Sequence, residues 1–426
     1  EGKGVLPVSA HPDLPVGTSV ETPKIGRLAY GLPESVGLSS DKLKTIDSIA
    51  QEAIDQKMTP GMQILVAKKG KIVYRKNFGT LDYNPAHKVN DHTIYDLASL
   101  TKILATLPEL MRLYTKGDFR PNDTFEDLLP RLKDTNKGGM TMKEVLSHYA
   151  QFQSWIPFFN QTLDKNKKPL PEFYSTTASD SFPTQVAKDL YLREGFTDSI
   201  YKRIDDSNLI KDKKYLYSDL PYYYFKLFIE KKTKKPLQEA VQKHFYRELG
   251  AYQLTYLPLE RFPITNIAPA EDEKTFRGQE LRGYVHDQGA ALLGGVGGHA
   301  GLFGTADDVA KMMQMYLQKG YYGGTWYLQP QAIQLFNTCN YCTEGNRRGL
   351  GFDKPQLGKA GPTCGCVPME SFGHTGFTGT FAWADPINEI VIVFLSNRTY
   401  PSAENKLLIN KLIRQRVQEV VYKAGL

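Results

Sequence analysis

A serine and a lysine stand three residues apart in YDLASLTKIL (95–104), where an apolar, helix-prone run begins. At i and i+3, Ser99 and Lys102 fall on one helical face, close enough for the amine to share the hydroxyl proton. Acyl transfer through serine needs a nucleophilic hydroxyl, a stabilised oxyanion and a protonated leaving group. A helix N-terminus favours the developing negative charge. A lysine serves as base only where burial or a neighbouring cation favours its neutral form, and Leu97, Ala98, Leu100, Ile103 and Leu104 supply apolar surroundings. Read alone, the string fits a capping serine beside a solvent-facing lysine better. Two more copies exist, Ser39…Lys42 and Ser199…Lys202.

Two further stretches reverse that reading. YLYSDLPYYYF (215–225) offers Tyr217, Ser218 and Asp219 ahead of an aromatic run. FGHTGFTGTFAW (372–383) places His374, Thr375 and Gly376 just before a strand, where glycines permit close backbone approach and the strand edge supplies N–H donors. Each alone also reads as a turn or a glycine-rich strand entry.

The elements that must position these groups are legible in outline. Residues 1–33 are rich in Pro, Gly and small residues and read as an extended tail or linker. SSDKLKTIDSIAQEAIDQK (39–57) is a helix with Ser39 or Ser40 as cap and Leu43, Ile46, Ile49, Ala50 and Ile54 as its apolar stripe. Ser39 is thereby explained as a helix start. MQILVAKKG (62–70) and KIVYRKNFG (71–79) form a hairpin. The middle of the chain is mainly helical in pattern. DVAKMMQMYLQKG (308–320) is an amphipathic helix whose Met312, Met313 and Met315 read as core filler. Strands return in GTFAWADP (379–386) and EIVIVFLSN (389–397), and a helix over 404–424 closes the chain. The expectation is one α+β unit over 31–426, its antiparallel sheet joining both chain ends. An α/β part (31–95 and 290–426) would frame an inserted, mainly helical part (96–289).

Composition narrows the function classes. A net charge of +7 over 426 residues is mild and scattered, and the runs KNKK (165–168) and KKTKK (231–235) read as solvated turns rather than a nucleic-acid footprint. No apolar run approaches the roughly 18 residues that a membrane span needs. The start on Glu1 reads as a processed or excised piece.

Ser-x-x-Lys, Tyr-Ser-Asp and His-Thr-Gly, in this order, resemble the three-motif set of the serine β-lactamase and penicillin-binding-protein superfamily. More narrowly they are similar to the class C β-lactamase-like group of esterases, D-amino-acid peptidases and amidases. The likeness spans about residues 31–424. It includes PGMQILVAKKGKIVYRKNFG and TMKEVLSHYAQF (141–152), the latter similar to that group's leucine-leucine-x-His-x-Ser-Gly segment. Ser199 has nothing of this pattern around it. The chain departs from the group in Asp219, where Asn is usual, and in Ala150-Gln151, where Ser-Gly is usual. His374 opens the third motif in place of Lys, as in the esterase and peptidase branches.

The resemblance implies a β-lactamase/transpeptidase-like fold and a two-step acyl transfer without a catalytic cofactor. Ser99 would attack a carbonyl while Lys102 takes its proton, and Tyr217 would relay a proton to the leaving group. The backbone N–H groups of Ser99 and Phe377 would form the oxyanion hole. His374 would support Tyr217 electrostatically, and Asp219, Thr375 and Gly376 would contact substrate.

VHDQGAALLGGVGGHAGLFGTADDV (285–309) reads either as a turn-rich cover to the site or as a loop in which His286 or Asp287 holds ligand. With NRRGLGFDKP (346–355) and SWIPFF (154–159), it resembles a subgroup that acts beside N-acetylglucosaminidases in peptidoglycan turnover. GKGVLPVSAHPDLPVG (2–17) also resembles the closing segment of a family 3 glycoside hydrolase, implying a fused partner domain. The substrate implied is a muropeptide, the reaction an N-acetylmuramyl-L-alanine amidase, and the location the periplasm or cell envelope. A D-amino-acid peptidase, an esterase, a weak β-lactamase or a catalytically impaired wall-binding module are the alternatives, the last because of Asp219.

All four cysteines lie in one stretch before the third motif: Cys339 and Cys342, then Cys364 and Cys366. The spacing suits either a structural zinc held by four thiolates or two disulfides across the loop.

Overall fold

The computed structural model describes residues 3–21 and 25–425. Its centre is a six-stranded sheet of β1 (Ala29–Tyr30), β2 (Gly61–Lys68), β3 (Lys71–Gly79), β4 (Phe372–Thr375), β5 (Phe381–Asp385) and β6 (Ile390–Ser396), in the spatial order β4-β5-β6-β2-β3-β1. β2 and β3 form the expected hairpin, its two-residue turn Lys69-Gly70 having positive φ at both positions, the conformation that matches strand twist. All pairings are antiparallel except the edge, where β1 runs parallel to β3. The sheet is thus mixed rather than wholly antiparallel, and the fold class is α+β. The expected tail is also more ordered than a linker: Lys3–Val5 pairs with Ser19–Glu21, and Ala29–Tyr30 joins the sheet.

β2 and β6 are apolar at nearly every position because both of their faces are covered. Side chains alternate across a strand, so Ile64 and Val66 face one layer while Leu65 and Ala67 face the other. In β6, Ile392 and Phe394 likewise oppose Val391 and Val393. Each Val, Leu, Ile or Phe buried in this way contributes about 1.5–3 kcal/mol. The first layer is built by α1 (Thr45–Asp55) and the final helix. That helix is broken, with Leu407–Asn410 separated from Ile413–Lys423 by Leu412 at φ 54°. Ser39 accepts the Lys42 N–H as a helix cap, as expected.

The second layer is the larger. It holds α2 (Leu107–Lys116), α3 (Leu220–Thr233) and α4 (Ala306–Leu317), with Met312, Met313 and Met315 fully buried. Among the described residues no helix is long and apolar enough to cross a membrane.

Candidate active site

The turn that carries Ser99 is built by ties to distant segments. Tyr95–Asp96 pairs with Phe303–Gly304, and the Leu97 N–H donates to the Leu302 carbonyl at 2.9 Å. The buried Asp96 carboxylate accepts the N–H groups of Ala98 (2.8 Å) and His286 (2.7 Å). Ala98 sits at φ 48°, a strained conformation for a residue with a Cβ, and the chain then enters a helix with a wide π-helical turn over Lys102–Thr106.

Ser99, Lys102 and Tyr217 come together as expected. The Ser99 Oγ accepts from Lys102 Nζ and from the Tyr217 hydroxyl, each at 3.0 Å. Lys102 is fully buried. Its Nζ also donates to the His299 carbonyl at 3.0 Å, lies 2.6 Å from the Asp219 carboxylate, and sits 5.1 and 5.2 Å from the ring centres of Tyr217 and Tyr222.

Tyr217 is held by His148, a residue absent from the expected site although its segment was recognisable. His148 Nδ1 accepts the Ser218 N–H at 3.2 Å, its carbonyl accepts the Leu216 N–H at 3.0 Å, and its ring centre is 4.6 Å from that of Tyr217. Gln151, in place of the group's glycine, adopts φ 59° and pairs through its backbone carbonyl and side-chain amide with Ile210. Burial above all, then Asp219, raises the Tyr217 phenol well above its ordinary range, while Arg348 acts in the opposite direction.

His374 lies beside Tyr217, ring centres 5.8 Å apart. Its Nδ1 is 2.6 Å from the Thr375 carbonyl and so carries the proton, and Nε2 has no partner among the described residues. Burial, then Arg348 and Lys102, hold this ring well below its ordinary range; burial does the same for His148. Both rings are therefore neutral in the folded protein. The unfolded chain binds protons near pH 6.5 that the fold excludes, so stability is full above about pH 6.5 and falls as pH drops below it. Each ring contributes a slope of up to about 1.4 kcal/mol per pH unit. Urea midpoints measured from pH 7.5 to 5.5 are expected to decline through this window, and His148→Gln to flatten the decline; a decline unchanged in that variant would refute the assignment.

The third motif is pressed onto the nucleophile turn. The hydroxyls of Thr378 and Thr380 donate to the carbonyls of Asp96 and Leu97 at 2.8 and 3.0 Å. A Cβ on Gly376 would come within 2.0 Å of Thr380 Oγ1 and 2.8 Å of the Leu97 carbonyl oxygen, so only glycine fits. The N–H groups of Ser99 and Phe377 are left without partners among the described residues. This arrangement suits an oxyanion hole. Gly376→Ala is expected to push Phe377 out of register and lower kcat by about 10²–10³-fold, the cost of one lost donor. Stopped-flow acylation with an activated ester checks it; an unchanged rate would remove Phe377 from the hole.

Asp219 and Asp287 line a narrow, partly open cavity of about 20 Å³ with Trp155, Phe159, Tyr223 and His299. Asp287 Oδ1 accepts from the Ala290 N–H at 2.7 Å and lies 2.8 Å from His299 Nε2. His286 is not in that cavity. Its Nε2 lies 2.9 Å from the Glu271 carboxylate, and its ring packs against the exposed Phe377 ring at 5.3 Å. Its observed contacts are thus to Glu271 and to the loop that follows β4. Thr375 is half-buried and lends its carbonyl to His374.

The cysteine expectations need correction. Cys339 is bonded to Cys342 and Cys364 to Cys366, so each bridge closes locally and not across the loop. Sulfurs so paired offer a metal no thiolate, and no group of three or more His, Cys, Asp or Glu among the described residues is arranged to hold one. A four-thiolate zinc site does not fit this arrangement.

Comparison with known proteins agrees with the geometry. The Beta-lactamase family matches residues 46–414. A protein of Escherichia coli (strain K12) named "Putative D-alanyl-D-alanine carboxypeptidase" is 30% identical over 416 residues, covering 91% of this chain and 89% of that protein. Two solved structures share the fold. One is EstCE1, a hydrolase with promiscuous acyltransferase activity (TM-score 0.65, 18% identity, 90% of this chain and 99% of that one). The other is a penicillin-binding protein homolog from Caulobacter crescentus (TM-score 0.64, 16% identity, 91% and 99%). A shared hydroxyl between amine and phenol, and a match over most of the length, lead to one conclusion: this chain belongs to the Beta-lactamase family of serine hydrolases.

Proposed function

We propose that this chain cleaves an amide of a peptidoglycan fragment through an acyl-enzyme, its target being the bond between N-acetylmuramic acid and L-alanine. The observation that carries the reaction type is the Ser99 hydroxyl, held at 3.0 Å by both Lys102 and Tyr217. Ser99 attacks the lactyl carbonyl as Lys102, in its neutral form, takes the proton. The oxyanion rests on the N–H groups of Ser99 and Phe377, Tyr217 protonates the leaving nitrogen, and water then releases the acid. These steps run on side chains and call for no cofactor. Trp155, 56% exposed on the rim of the cavity beside Asp219, supports a sugar-bearing substrate, since a flat aromatic face suits a pyranose ring.

A second reading is favoured by the name of the Escherichia coli relative: removal of a terminal D-alanine from a D-alanyl-D-alanine peptide. Mass spectrometry of products from purified muropeptides separates the two. Release of intact peptide from the sugar is expected; loss of one alanine with the sugar still attached would establish the carboxypeptidase instead. Binding without any product would return the chain to the wall-binding module. The two disulfides and a wall substrate support a periplasmic or envelope location. A fused family 3 glycoside hydrolase supplying the exposed sugar is part of the same proposal, supported by the 2–17 stretch.

A further inference from the structure

We propose that Arg348, not His374, supplies the fixed positive charge against which Tyr217 works, as a positioning residue for the serine site; this rests on the acyl-enzyme reading above. The guanidinium carbon of Arg348 lies 5.2 Å from the centre of the Tyr217 ring, and the residue is 3% exposed. Its Nε donates to the Tyr215 hydroxyl at 3.3 Å and lies 3.4 Å from Asp353 Oδ1. Its Nη1 has no hydrogen-bond partner among the described residues. The segment is fixed by Asn346, whose Nδ2 donates to the Ser147 carbonyl at 2.8 Å, next to His148, and whose Oδ1 accepts the Arg348 N–H at 3.1 Å.

The charges around Tyr217 leave Arg348 as the uncompensated cation. Lys102 is paired with Asp219 at 2.6 Å. His374 carries its single proton on Nδ1, toward the Thr375 carbonyl, and His148 accepts at Nδ1 from Ser218, so both rings are neutral. Tyr215 and Tyr222 are the remaining titratable neighbours, and burial raises the Tyr222 phenol well above its ordinary range. Asp353 is shared, because Arg347 Nη2 lies 3.0 Å from the same Oδ1. One carboxylate thus serves two guanidiniums, and the surplus positive charge faces the Tyr217 ring.

That surplus has a task. As Tyr217 gives its proton to the leaving nitrogen, its oxygen becomes negative until the proton that Ser99 gave to Lys102 restores the phenol. Arg348 lowers the cost of that anion in a site where burial and Asp219 both oppose it.

The test uses p-nitroacetanilide, a neutral amide whose leaving nitrogen must take a proton, so that the Tyr217 step is exercised and anchoring of a substrate carboxylate plays no part. Arg348→Met is expected to lower kcat by about tenfold or more and to move the optimum of the kcat/KM profile up by about one pH unit, with KM little changed. Arg348→Lys is expected to recover most of the loss. Asp353→Asn removes the shared countercharge and is expected to move the optimum down, which keeps the test open where Arg348→Met does not fold. A profile unmoved in Arg348→Met or Asp353→Asn, or a loss confined to KM, overturns the assignment. Fluorophosphonate labelling of the wild type separates the two levels: an unlabelled Ser99 overturns the serine reading and this proposal with it, whereas a labelled Ser99 with an unmoved profile overturns the role of Arg348 alone.

Discussion

Ser99→Ala is expected to abolish covalent labelling by a fluorophosphonate and to lower turnover by on the order of ten-thousandfold or more. The reason is structural as well as chemical. The Ser99 oxygen is the one atom at which the Lys102 amine and the Tyr217 phenol meet, so its removal disconnects two proton carriers that are otherwise 5.1 Å apart, nitrogen to ring centre. What remains is the oxyanion pocket and binding alone, which account for only a small residue of rate in serine enzymes. The fold should barely notice, since the hydroxyl is a half-buried acceptor and its loss leaves no charge unpaired. Ser39→Ala is the matched control. It removes the cap of a surface helix, costs about 1 kcal/mol of stability, and should leave turnover untouched. Labelling that survives in Ser99→Ala would move the nucleophile elsewhere.

Lys102→Met carries the second large effect, a fall in kcat/KM of about 10³-fold, within the usual range for a lost general base. The companion variant Asp219→Asn is more informative because it should act in the other direction. A base needs the neutral amine, whereas the ion pair with Asp219 at 2.6 Å needs the ammonium form. The carboxylate is therefore expected to work against proton abstraction, so that the departure from the usual Asn acts as a brake on the reaction. Removing it should raise activity several-fold at neutral pH. Initial rates with an activated ester from pH 5 to 9 decide this. A fall in activity on Asp219→Asn would instead make the carboxylate a substrate ligand.

The sequence made the nucleophile, its lysine and the tyrosine legible because each sits in a short string whose residue types fit one chemistry. The two decoys resolved through local physics: Ser39 caps a helix, and Lys202 pairs with Asp206 on an exposed surface. The hairpin, the strands near the end and the methionine-rich helix were equally plain from their periods. What escaped were the contacts across the chain that no motif announces. His148 and Arg348 reach Tyr217 from 69 and 131 positions away, and although both lie in segments that resemble the family, neither string says which ring its side chain meets. His286 reads as a ligand candidate because it precedes Asp287 in a glycine-rich stretch, yet its ring sits against the Glu271 carboxylate and the Phe377 ring, outside the cavity lined by Asp219 and Asp287. His374 was expected to carry electrostatic support, but tautomer and burial, which no string reveals, make it neutral. Cysteine spacing could not distinguish local from long-range pairing.

The threonine hydroxyls that clasp the nucleophile turn span 282 and 283 positions of chain. Strand β6, which seats the third motif in the sheet, pairs with β2 from the opposite end of the sequence. A nascent polypeptide that has not yet reached residue 377 therefore holds Ser99, Lys102 and the ties to Leu302 and His286, but lacks the threonine clasp and the Phe377 N–H. Hydrolytic competence is expected to wait for the strands between Phe372 and Ser396, and a product truncated before them to be inert rather than half-active.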